Sequence, residues 1–226
     1  MDHIGKYPDD PNAKFLGEND TLSLLGQETG HRWLAFLRFS DHRHESSDAL
    51  LGRSAAHWSF FLNSDASVME GNRIQDLGGG LFRTVAAVEQ YSLLDQYVMG
   101  LVRDVDVPPF FYVESPINVQ PFAQPASAPR IGVTFSGTRR NVLINDVLEV
   151  MGRREPPSAD APKTVRQAFL YVVGRGRPAS TGAVAKIDRI RRAWEAFFTR
   201  ATGARGRTDT RLFPGTAMPF SPVVGS

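Results

Sequence analysis

Hydrophobic and polar positions along the chain alternate between helical and strand-like spacing. Residues 21–39, Thr-Leu-Ser-Leu-Leu-Gly-Gln-Glu-Thr-Gly-His-Arg-Trp-Leu-Ala-Phe-Leu-Arg-Phe, are predicted as one helix, with Asn19, Asp20 and Thr21 available as N-caps. Ser92 caps a second helix to about Val102, whose apolar face is Leu93, Leu94, Tyr97, Val98 and Leu101. Asn145 caps a short helix to about Met151. Residues 183–202 form a fourth, with the stripe Val184, Ile187, Ile190, Trp194 and Phe197 or Phe198. Strand patterns fall at 57–62, at 72–76 and 81–87 as a hairpin across Gly78-Gly79-Gly80, and at 110–113. Residues 131–135 and 141–144 read as a second hairpin, and 167–173 as a buried strand.

Between these elements lie an extended lead-in (1–18), a polar loop (40–56), Pro-rich connections (115–130 and 155–162) and a Gly-, Arg- and Pro-rich tail (203–226) expected to be irregular. Interleaved helices and strands without an internal repeat read as one α+β domain over 1–226.

Composition narrows the function. The net charge of +2 implies no strong field, and the arginine clusters at 139–140, 153–154 and 189–192 read as solvated faces, so no nucleic-acid partner is expected. The absence of cysteine excludes disulfides, thiolate zinc sites and a cysteine nucleophile. No apolar run approaches the roughly 20 residues of a membrane span, and no signal peptide follows Met1. The chain starts shortly before its first helix, which suggests a fragment of a longer precursor. There is no phosphate-binding Gly-x-x-x-x-Gly-Lys-Ser/Thr, no dinucleotide fingerprint and no Gly-x-Ser-x-Gly elbow.

The most specific chemistry lies in Gln27-Glu28-Thr29-Gly30-His31. This is the zinc-protease signature HExxH with its first histidine replaced by glutamine. The signature works because two ligands four residues apart project from one helix face beside a glutamate that takes a proton from metal-bound water. Gly26 and Gly30 share one side of the same helix, which indicates a close approach there by either a packed strand or a substrate strand.

Three ordered segments carry a resemblance: Gln27-Glu-Thr-Gly-His-Arg-Trp-Leu-Ala-Phe36, then Ala56-His-Trp-Ser-Phe-Phe61, then Tyr91-Ser-Leu-Leu-Asp-Gln-Tyr-Val-Met-Gly-Leu101 with Val107-Pro-Pro-Phe-Phe-Tyr112. Together they resemble a group of bacterial zincin-like metallopeptidase domains, over a span from the motif helix to about Leu212. The resemblance implies a zincin-like α+β fold: a twisted mixed sheet packed on an active-site helix, with a C-terminal helical part. It also implies a secreted or periplasmic parent protein, a peptide or protein substrate, zinc as cofactor, His31 as a metal ligand and Glu28 as the general base.

The remaining ligands stay open. His57, beside Trp58 at the start of the 57–62 segment, is the next candidate ligand or a strand-edge histidine stacked on aromatics. Gln27 is a neutral, weak zinc ligand. It coordinates weakly, or an acid such as Glu28, Glu70, Asp65 or Asp95 replaces it, or the site has lost its metal. Glu28, His31 and His57 could also form a two-histidine, one-carboxylate site. Tyr91 and Tyr97 are candidates to steady an oxyanion, Asp95 to orient a ligand histidine or cap a helix, and the His42-x-His44 pair to bind metal or simply be solvated. Two hypotheses follow: a zinc-dependent peptidase-like hydrolase, and a zincin-fold pseudo-enzyme acting as a binding or structural module without catalytic metal.

Overall fold

The computed structural model describes residues 3–211. Its centre is a closed five-stranded barrel, so the expected zincin-like sheet packed on an active-site helix is not what forms. The barrel strands are β3 (Leu62–Asn63), β4 (Asn72–Gly78), β5 (Leu81–Ala87), β6 (Phe110–Ile117) and β7 (Thr134–Val142). They follow two minor strands, β1 (Phe39–Ser40) and β2 (Ser46–Ser47), which pair with each other. The order around the barrel is β3-β4-β5-β7-β6.

Closure depends on the short β3, which pairs parallel with β4 through Asn63 and Asn72 and antiparallel with β6 through Leu62 and Asn63. The β4–β5 hairpin forms as its sequence predicts. Gly78, Gly79 and Gly80 all take positive φ (84°, 60° and 77°), a backbone that side chains disfavour. The second expected hairpin is instead one continuous strand, β7. It pairs with β5 through residues 134–136 and with β6 through 136–142, so Ser136-Gly137-Thr138 is the hand-over between two neighbours rather than a turn.

The barrel is filled by aromatic side chains, as a small barrel requires. Phe60, Phe61, Phe82, Phe111 and Phe135 pack with Ile74, Val113 and Val133 in one buried cluster. The Phe135 ring lies 5.9 Å from Phe82 and 5.1 Å from Phe61, centroid to centroid.

Outside the barrel a second core gathers α1 (Thr21–Gly30), α2 (Leu93–Val98), α3 (Ile144–Met151) and α4 (Thr181–Ala201). Helix α1 starts as expected, with Asp20 accepting from the Ser23 N–H in a capping box. It ends at Gly30, well before the expected Phe39. Beyond it Ala35, Leu37 and Phe39 are buried while Phe36 and Arg38 are exposed, a period of two that belongs to extended chain. The 57–62 segment likewise contributes only its end to a strand, leaving His57 on irregular backbone. The tail expected to be irregular contributes β9 (Arg207–Asp209), which pairs in parallel with β8 (Thr164–Arg166). Its remaining residues, 212–226, lie outside the described residues. Among the described residues no helix is long and apolar enough to cross a membrane.

If the phenylalanine cluster holds the barrel together, Phe135→Ala, at a position 1 % exposed, is expected to cost about 3–5 kcal/mol. Urea unfolding measures this; a loss below about 1 kcal/mol would show that the interior collapses around the deletion.

Candidate functional site

Helix α1 carries Gln27, and His31 caps its C-terminal end; both meet His57. The Gln27 Nε2–H donates to His57 Nε2 at 2.8 Å, and the His31 and His57 rings meet edge to face at 4.8 Å between centroids. Gln27 and His57 are both buried, His31 is half-buried, and Glu28 faces solvent. The residues of the altered motif and the distant histidine therefore do converge.

The glycines permit this convergence. A Cβ on Gly30 would come within 2.3 Å of the Met69 sulfur, and one on Gly26 within 3.3 Å of Phe197 and Val68. The close approach on that helix face is thus core packing against α1, not room for a substrate strand. Tyr91 belongs to the same packing. Its hydroxyl donates to the Gly26 carbonyl at 2.6 Å, and burial raises its pKa well above the ordinary phenol value, so it is a structural donor rather than an oxyanion partner.

His57 is the centre of the cluster, and its protonation follows from its partners. Its Nδ1 lies 2.8 Å from the Arg53 carbonyl, which can only accept, so Nδ1 carries the proton. Its Nε2 is then a lone pair, and it receives two donors: the Gln27 amide and, at 3.0 Å, an N–H of the Arg53 guanidinium. Burial lowers the His57 pKa, with Arg53 and His31 adding to the depression against the opposing pull of the Arg53 carbonyl and Glu70. The imidazole is therefore held neutral.

Arg53 is the residue that motif reasoning missed. It sits in a 3-10 turn, Arg53–Ala55, and forms a two-point ion pair with Glu70 at 3.0 and 2.5 Å. Its sequence signal is weak, since it is an arginine four residues before His57 in a polar loop. Ser54 (φ 57°), Ala55 (φ 49°) and Glu70 (φ 63°) all lie in the left-handed region, at roughly 1–2 kcal/mol each for non-glycine residues. Both partners of the ion pair are thus carried by, or adjoin, backbone that the surrounding structure holds in place.

The donor set does not fit a zinc ion. Zinc needs three or four nitrogen, sulfur or carboxylate lone pairs directed at one point. His57 has none unengaged, Gln27 turns its amide nitrogen inward, Glu70 is committed to Arg53, and a guanidinium lies where a cation would have to sit. His31 donates from Nδ1 to the Leu34 carbonyl at 3.4 Å, leaving only its Nε2 open. Among the described residues no group of three or more His, Cys, Asp or Glu side chains is arranged to hold a metal.

The other candidates are placed elsewhere. Asp95 is fully buried; it caps α2 by accepting from the Ser92 N–H and accepts from the Trp58 indole at 2.8 Å. It orients the residue beside His57 rather than a histidine. Asp65 binds Arg73 and Gln90, and the Tyr97 hydroxyl accepts from the Arg154 N–H. His42 and His44 are exposed and line a separate cleft of about 260 Å³ with Asp146 and Glu149. A larger cleft of about 430 Å³ adjoins the Arg53 turn through Gly52 and Ala55. Its walls are apolar at Leu51, Phe61 and Pro125 and charged at Asp48, at Asp41 paired with Arg43, and at Glu114 paired with Arg140.

Compared with protein-family models, curated proteins and solved structures, the chain matches none.

Two titrations test this geometry. Removing the guanidinium in Arg53→Ala is expected to raise the His57 pKa toward or above the ordinary value, read from its ring protons by NMR; a fall would contradict the arrangement. Burial raises the Asp95 pKa to about 6 from 3.8, so its stabilising contribution is complete at low pH and is lost as pH rises through about 6. Asp95→Asn is therefore expected to flatten the fall in unfolding free energy between roughly pH 4 and 6. An unchanged slope would mean the carboxylate is solvated.

Proposed function

We propose that this barrel domain is a binding or structural module in which a hydrogen-bonded cluster replaces a catalytic metal centre. The observation that carries this reading is the engagement of the His57 Nε2 lone pair by both Gln27 and the Glu70-paired Arg53. A neutral imidazole between an amide and a guanidinium is a satisfied polar core, costly to open because each member would lose a buried partner. The adjoining cleft, with apolar walls and ion-paired carboxylates, is the concave surface the module offers a partner.

One observation favours the rival reading of a zinc-dependent peptidase with Glu28 as base. Gln27, His31 and His57 meet, and Glu28 stands exposed beside them. Zinc titration with elemental analysis separates the two. The wild-type chain is expected to hold no stoichiometric zinc at micromolar concentrations. The double variant Gln27→His, Arg53→Ala supplies three imidazoles, removes the cation and is expected to bind at least about tenfold tighter. Stoichiometric zinc in the wild type, or zinc-dependent cleavage of casein that Glu28→Gln abolishes, would overturn the module reading.

A further inference from the structure

The 167–173 segment, expected to be a buried strand, is half of one. From Val165 to Val172 burial alternates at every residue: Val165, Gln167, Phe169 and Tyr171 turn inward, and Arg166, Ala168, Leu170 and Val172 face out. That period of two is the pattern of an extended strand continuing β8. Phe169 and Val165 pack against the helical core, and Gln167 is anchored through its side chain to Thr29 and Trp194.

Among the described residues the outer side has no backbone partner. Leu170 is 82 % and Val172 87 % exposed. The last backbone bond of the strand is from the Gln167 N–H to the Asp209 carbonyl; residues 168–173 make none among the described residues. The N–H and C=O of one strand residue point to the same edge, and successive residues alternate. Since Gln167 faces β9, Ala168, Leu170 and Val172 direct their backbone groups to the opposite, open edge. Among the described residues the segment is an unpaired strand edge with exposed β-branched and aliphatic side chains, the form that accepts an added strand.

Its flanks say what kind of strand. Arg166, Arg175 and Arg177 are exposed, and none forms an ion pair among the described residues. Arg175 and Arg177 lie at the turn that ends the segment, where the Arg177 N–H bonds the Gly174 carbonyl. We propose that residues 168–173 are a docking edge for an extended acidic peptide segment of a protein partner, which adds as a strand and sets carboxylates against these three arginines. This surface is independent of the cluster at His57, so it stands or falls separately from the metal-free reading.

Fluorescence anisotropy with labelled heptapeptides tests it: one alternating Glu and Val, one alternating Lys and Val. The Glu–Val peptide is expected to bind the full chain at least about tenfold tighter than the Lys–Val peptide. Arg175→Glu with Arg177→Glu should reverse that preference. Val172→Pro removes one outward N–H at an exposed position and should weaken binding by about tenfold, with the thermal unfolding midpoint unchanged. Absence of binding, equal binding of both peptides, or binding indifferent to Val172→Pro overturns the proposal. So does peptide-free dimerisation in sedimentation that Val172→Pro abolishes, since the occupant is then a second copy.

Discussion

A buried carboxylate ties the chain that leads into the barrel to the first turn of α2. Asp95 takes the Trp58 indole N–H on one oxygen and the Ser92 N–H on the other, with no exposure to solvent. The first bond reaches the chain entering the barrel, and the second starts α2 in the helical core. Burying an ionisable group is costly, and its elevated pKa records that cost, but removing one partner would leave the others unsatisfied in a dry interior. Trp58 is consequently fixed, and with it the backbone of His57 beside it.

The cluster around His57 follows from that placement. Once His57 is fixed beside α1, its protonated nitrogen finds the Arg53 carbonyl and its lone pair faces Gln27 and the Arg53 guanidinium. The Arg53 side chain is nearly half exposed, so its ion pair with Glu70 contributes little to net stability. Its effect is electrostatic and positional: it keeps a positive charge against the imidazole and disfavours a second cation there. Gln27 and this arginine act in the same direction, since an amide is a weak metal ligand and the guanidinium fills the space beside His57.

Part of this was legible in the residues. The Gly78–Gly80 hairpin, the Ser92 cap and the long stripe of α4 depend on neighbours within a few positions, and they form as their local patterns predict. The motif itself sets Gln27 and His31 together, while the sequence leaves His57 open between a further ligand and a strand-edge histidine, and it is folding that brings it to them. The extent of α1 was misread because Ala35, Leu37 and Phe39 continue an apolar run whose period changes from helical to extended after Gly30. The β7 hairpin was misread because Ser136-Gly137-Thr138 has turn composition, yet the strand is held on both sides by β5 and β6.

Local sequence determined many of the stretches that pair or coil, several of the residues that cap them, and that Gln27 and Glu28 share one helix with His31 at its C-terminal end. The tertiary structure alone decided that the sheet closes, because closure rests on the two-residue β3, which pairs with the nearby β4 and also with β6, where Leu62 meets the sequence-distant Tyr112. It also decided that the would-be metal position is answered by Arg53. A guanidinium in a polar loop carries no sign of its partner until folding brings Glu70 and His57 around it, and hydrogen-bond geometry, unlike spacing, exists only in three dimensions.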